Sequence, residues 1–179
     1  MARFLWLLLF AVIIGPQQGE WDESPGFTPE QLQEYKKQQY TQRIVETYRV
    51  DKRFALDVVN LAFKYGNDRQ YPRPADILSI ISIESNFRPH VKSKLRRDKA
   101  EGLTQIRPKV WRHLIPSGAL TSIENQVKYG SMILTQYYQI LGNEKEATNA
   151  YNVGLTNHRR GIWNPRYESR FATAKQLFM

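Results

Sequence analysis

The chain contains no cysteine, which excludes disulfide staples, cysteine-ligated metals and lipid anchoring through an N-terminal cysteine. It has only three histidines, His90, His113 and His158. Their spacing does not match that of metal ligands, so each is read as a surface or structural residue. No apolar run approaches the roughly 20 residues of an ordinary membrane-spanning helix. Period-2 alternation of useful length is missing, which argues against a sheet, and no internal repeat points to a repeat architecture. What remains is 179 residues, of which 41% are hydrophobic and 24% charged. That is enough for one domain with a true core and a tail.

Charge of one sign is in excess. The formal net charge is +9, and much of it is local. Between Arg88 and Arg112 stand nine basic residues (Arg88, Lys92, Lys94, Arg96, Arg97, Lys99, Arg107, Lys109 and Arg112) against Asp98 and Glu101, a net +7. A basic face favours a polyanion: an acidic cell wall, an anionic membrane surface or nucleic acid. A solvated loop that only aids solubility is the plainer alternative.

The N-terminus carries a short apolar run, Phe4 to Ile14, after a single basic Arg3. Its length suits the apolar core of a secretory signal. The cleavage region is poor, because Pro16 follows Gly15 and Gln17 stands two positions before Gly19. Residues 1–15 are therefore expected to act as a signal or a marginal membrane anchor. Residues 16–27, polar and containing Pro and Gly, read as a linker, and residues 28–179 as the functional domain.

Helix signals then follow in series. Thr28-Pro29-Glu30-Gln31 offers an N-cap, a proline at the first helical position and a capping box. Asp51 is expected to cap a second helix, closed by Gly66. Arg73-Pro74 starts a third, expected to end at Arg88-Pro89. Residues 88–101 read as a long loop. Further helices are predicted over 106–115, 123–141, 144–152 and 167–178. The expected fold class is mostly α, a bundle of irregular helices with a cleft.

Glu84 stands out within the third helix. It follows Ile77-Leu78-Ser79-Ile80-Ile81-Ser82-Ile83, so helical geometry places it one turn from Ile80 and Ile81 and two turns from Ile77. A carboxylate is disfavoured among such neighbours, and its pKa should rise toward that of a general acid. Locally, a helix-terminal glutamate that snorkels to water is an equal alternative.

Three short motifs occur in order: Glu84-Ser85-Asn86-Phe87, Gly102-Leu103-Thr104-Gln105-Ile106 and Ala150-Tyr151-Asn152-Val153-Gly154. With them, the segment from about Pro74 to Phe171 resembles the catalytic domain of the soluble lytic transglycosylases. The resemblance implies a goose-lysozyme-like helical fold and cleavage of peptidoglycan glycan strands. It implies that Glu84 alone protonates the glycosidic oxygen and then serves as base to the C6 hydroxyl of N-acetylmuramic acid, leaving a 1,6-anhydro end, with no cofactor and no metal. Carried over position by position, it also assigns substrate-binding roles. Ser85 follows the acid, and Ser93 matches a serine near it. Gln105 would bond a sugar N-acetyl or hydroxyl group. Tyr151, with Asn152 beside it, would hold Glu84 or the acetamido group, and Tyr167 matches a late tyrosine facing the cleft.

The chain departs from the family pattern in places. Thr104 replaces a methionine that lines the sugar site, Lys99 replaces a glycine in a lengthened loop, and Gln126 replaces an asparagine. Two other readings compete. A hydrolytic muramidase on the same fold would need a second carboxylate, and Asp98 and Glu101 are the nearby ones in sequence. A non-enzymatic wall- or DNA-binding part of a virion or secretion machine would not need Glu84, Gln105 and Tyr151 together. The expected partners are therefore peptidoglycan and an anionic membrane surface rather than nucleic acid. The protein is expected to act as a monomer or within a larger envelope or virion assembly, on the periplasmic side of a bacterial inner membrane, in a phage or secretion setting.

Overall fold

A computed structural model describes residues 27–95 and 97–179. The segment expected to be a signal or anchor, 1–15, and all of the linker except Phe27 lie outside the described residues. No helix among the described residues is long and apolar enough to cross a membrane.

Among the described residues there are seven α-helices: α1 (Pro29–Tyr48), α2 (Lys52–Tyr65), α3 (Pro74–Ser85), α4 (Ile123–Leu141), α5 (Glu144–Val153), α6 (Leu155–Arg159) and α7 (Pro165–Gln176). Only isolated β-bridges occur among the described residues. The expected caps form. The Thr28 hydroxyl accepts from the Gln31 N–H, and the Gln31 side chain accepts from the Thr28 N–H. The Asp51 carboxylate accepts from the Phe54 N–H. Each satisfies a donor that the first helical turn leaves unpaired.

Helix α3 is the centre of the molecule. Ten of its residues are buried, on every side rather than along one stripe, as expected for a helix apolar all round. Ile80 and Ile83 belong to one core, with Ile133, Leu134 and Tyr137 of α4 and Tyr167 of α7. Ile77, Leu78 and Ile81 belong to the other, with Ile44 of α1 and Val58 and Val59 of α2. Each such side chain removed from water contributes about 1.5–3 kcal/mol. The buried serines do not offset this, because each hydroxyl is partnered. Ser79 donates to the Ala75 carbonyl at 2.6 Å, and Ser82 pairs with the Tyr48 hydroxyl.

Two helix boundaries differ from expectation. Helix α3 stops at Ser85, before Arg88-Pro89, because Asn86 (φ 51°) and Phe87 (φ 58°) both turn left-handed. Phe87 is thereby buried against the Tyr48 ring, 4.8 Å away between centroids. Residues 106–115 form successive turns and no α-helix. Pro108 removes a donor near the start and Pro116 blocks extension, so a segment this short cannot propagate a helix. The sequence reading also passed over α6, which begins where Gly154 (φ 83°) ends α5.

Candidate active site

Glu84 lies in the last turn of α3, half-buried, and borders a cavity of about 290 Å³. Ser93, Gln105, Trp111, Tyr137, Tyr151 and Asn152 share its wall. Among the described residues lining it, Glu84 is the only carboxylate. From beneath, Tyr167 of α7 donates its hydroxyl to Glu84 Oε1 at 2.7 Å. Burial raises the pKa of Glu84 above the usual carboxylate range, while the Tyr167 hydrogen bond and the Arg170 guanidinium pull it partly back. The Tyr167 hydroxyl is itself pushed well up, by burial first and by the Glu84 charge next. It therefore stays protonated and acts as a donor.

Of the two roles expected for Tyr151, holding Glu84 or the acetamido group, the first does not match its hydrogen bond. Its hydroxyl donates to the Thr104 carbonyl at 2.9 Å and not to Glu84. The residue on the acid is Tyr167, which is buried under the carboxyl and does not line the cavity. Tyr151 instead braces the Gly102–Ile106 turn and presents its ring to the cavity. Burial raises its pKa too, with the Glu84 charge as the second cause.

The Gly102–Ile106 turn is held from several directions. Gly102 adopts φ 76°, and a Cβ there would lie 2.4 Å from Gln126 Cδ. Gln126 is buried, accepts from the Leu103 N–H at 2.8 Å and donates to the carbonyls of Leu120 and Pro89. The longer glutamine at this position thus ties the turn to its surroundings. Gln105 (φ 48°) spends both amide protons on the carbonyls of Val91 and Gly102, each at 2.9 Å. Only its Oε1 is left to face a ligand, as an acceptor.

Thr104 does not line the cavity where a methionine was expected to. It is fully buried, donates to the Gln126 carbonyl at 2.8 Å and packs on α4 at Gly130. A Cβ at Gly130 would meet Thr104 Cγ2 at 2.6 Å. A glycine inside a regular helix costs about 1 kcal/mol relative to alanine. Its presence in α4 was the one sequence signal of this close approach.

Two of the serines and Asn152 divide. Ser85 is buried and donates to the Ile81 carbonyl at 3.0 Å, so its hydroxyl turns into the helix and away from the cavity. Ser93 does line the cavity, and its Oγ accepts from the Ala100 N–H at 2.8 Å, closing the neck of the basic loop. Asn152 is exposed on the wall and accepts from Asn164 Nδ2 at 2.7 Å. Sequence reasoning missed Trp111, Tyr137 and Arg107 on the wall. Of these only Trp111 carried a signal, as a large aromatic five residues after the Gly102–Ile106 motif.

Neither second acid reaches the cavity wall. Asp98 accepts from Arg107 Nε at 3.1 Å and the Lys109 N–H at 3.2 Å, and Glu101 pairs with Lys92 at 3.1 Å. Lys94, Arg97, Lys99, Lys109 and Arg112 are exposed, as are Leu95 and Val110. Among the described residues no group of His, Asp or Glu is arranged to hold a metal ion.

The family model described as Transglycosylase SLT domain matches residues 61–173, well over half of the chain. That span contains Glu84, Gln105, Tyr151 and Tyr167. No curated protein sequence matches the chain.

Proposed function

The chain belongs to the transglycosylase SLT domain family, whose activity is on peptidoglycan, and from that premise we propose that it is a lytic transglycosylase with Glu84 as its one catalytic residue. The bond cleaved is the β-1,4 link from N-acetylmuramic acid to N-acetylglucosamine. Glu84, protonated at the outset, gives its proton to the glycosidic oxygen as the bond to C1 breaks. The carboxylate so formed takes the proton of the C6 hydroxyl as that oxygen attacks C1. Atoms balance without water, and the product is a 1,6-anhydro end.

The observation that carries this reading is that Glu84 is the single carboxyl among the described residues lining the cavity, with its pKa raised by burial. A hydrolase would need a second group to activate water, and Asp98 and Glu101 are engaged in ion pairs away from the wall. Tyr167, as a permanent donor, supports Glu84 in its carboxylate form, which the second half of the reaction needs. Gln105 Oε1 and the Ser93 hydroxyl are assigned to the sugar, and Asn152 to its rim. Ser85, Tyr151 and Tyr167 act by holding other groups in place.

The same reading extends to setting. Arg3 and the apolar run Phe4 to Ile14 direct the domain to the periplasmic side of the inner membrane, for local wall opening by a phage or a secretion system. Fractionation of a tagged chain tests this, and wholly cytosolic protein with or without residues 1–15 would refute it.

The direct test of the chemistry is the products of purified protein on sacculi. Anhydro-muropeptides are expected from the wild type and almost none from Glu84→Gln. General acid–base catalysis contributes about 10²–10⁴-fold, and no second acid among the described residues lines the cavity to replace it. Reducing ends in place of anhydro ends would assign the protein as a hydrolase.

A further inference from the structure

The end of α3 is finished by a side chain from another helix. Asn86 N–H closes on the Ser82 carbonyl at 3.0 Å, after which the chain turns left-handed and no backbone N–H reaches the Ile83 carbonyl. Arg170 Nη2 donates to that carbonyl instead, at 2.5 Å. Arg170 lies three residues after Tyr167 on α7, so the two share a helix face. One bonds the carboxyl of Glu84 and the other the carbonyl of the residue before it. At the far end of the same antiparallel pair, Lys175 Nζ meets the buried Asp76 carboxylate at 2.6 Å. Helix α7 thus ties down α3 at residues 76, 83 and 84.

We propose that Arg170 is a positioning residue for the acid, holding the last turn of α3 and its carboxyl against Tyr167 and supplying a fixed positive charge beside it. This rests on Glu84 being the general acid. An unpaired carbonyl at a helix C-terminus carries partial negative charge, and a cation there is favourable. A neutral donor of the same reach would complete the hydrogen bond but not the charge. The charge also acts on Glu84, favouring the carboxylate that burial disfavours. Arg170 is exposed over much of its surface, so water screens part of this effect. The other groups around Glu84 are Tyr167 from α7, Tyr151 from α5, Tyr137 from α4 and Arg107 from the loop. The tyrosines are neutral donors, and Arg107 is committed to Asp98.

The test is the pH profile of kcat/KM on soluble peptidoglycan fragments for wild type, Arg170→Gln and Arg170→Lys, with Glu84→Gln as control. A general acid must be protonated, so activity falls as pH rises through its pKa. Loss of the charge in Arg170→Gln is expected to move that falling limb to higher pH, on the order of half a unit for a partly screened neighbour. It should also lower kcat about tenfold through mispositioning, with KM little changed. Arg170→Lys should return the limb to its wild-type place and restore most of kcat. In the wild type alone, added salt should move the limb in the same direction as Arg170→Gln. A limb unmoved by Arg170→Gln and by salt overturns the proposal, as does failure of lysine to rescue it. An active Glu84→Gln would instead overturn the assignment of the acid.

Discussion

Tyr167 reaches across 83 residues of sequence to donate its hydroxyl to Glu84 Oε1 at 2.7 Å. The bond sets how easily the acid gives up its proton. A hydrogen bond to the ionised form favours that form, and bonds to charged groups are worth about 1.5–3 kcal/mol. Tyr167→Phe should therefore move the high-pH limb of kcat/KM upward. At any pH where Glu84 stays protonated the variant should still lose activity, because the carboxylate that follows proton transfer lacks its donor. A limb shifted downward in Tyr167→Phe would contradict this account.

Glu84 also makes stability depend on pH, and the sign follows from burial. Its native pKa lies above its unfolded value of about 4.3. Below that value both states are protonated and titration contributes nothing. As pH rises beyond it, the unfolded chain releases a proton that the native state still holds, so stability falls until the native pKa is passed. Glu84→Gln removes this dependence while keeping an acceptor for Tyr167. The variant should gain melting temperature on the wild type as pH rises from about 4 to 7, with the difference smallest at the acid end. A difference that is flat across this range would show that Glu84 is not perturbed as described.

The sequence was most legible where structure is local. Thr28, Asp51 and Gly66 mark helix ends through chemistry that acts within a few residues, and each stands where expected. The motifs around Glu84, Gln105 and Tyr151 likewise come together on one cavity. What was not legible depends on distant partners. Which tyrosine holds the acid turns on the docking of α7 against α3, and nothing near Tyr151 or Tyr167 in sequence decides it. Ser85 could not be placed without knowing that α3 is buried on all sides, which leaves its hydroxyl only the Ile81 carbonyl. The roles of Thr104 and Gln126, both departures from the family pattern, emerge only when the Gly102 turn is packed against α4.

The basic loop should strengthen attachment to the wall without touching the chemistry. Lys94, Arg97 and Lys99 are exposed in the segment between Ser93 and Gln105, both of which line the cavity, while the neighbouring acids pair with their own partners. Replacing the three with neutral residues should weaken pelleting with peptidoglycan at low salt. The gap from wild type should close as salt shortens the Debye length from about 30 Å at 0.01 M to 3 Å at 1 M. Turnover of small soluble fragments should be nearly unchanged. Equal pelleting at low salt would mean the loop is only a solvated surface.

Asp98 and Glu101 separate a structural acid from a catalytic one. Asp98 joins Arg107 to the start of the Lys109 turn, and its side chain is mostly buried. Asp98→Asn removes the charge but keeps an oxygen for the Lys109 N–H, and Arg107 is exposed enough to be hydrated. Most activity should be retained. Glu101→Gln loses only an exposed pair with Lys92 and should be quieter still. A hydrolase that relied on either residue to activate water would respond by orders of magnitude, since a general base contributes about 10²–10⁴-fold. Equal and near-normal rates in both variants, beside an inactive Glu84→Gln, would leave one carboxyl to do both proton transfers. The products then decide the attacking oxygen: anhydro ends place the C6 hydroxyl of the sugar on C1, and reducing ends place water there.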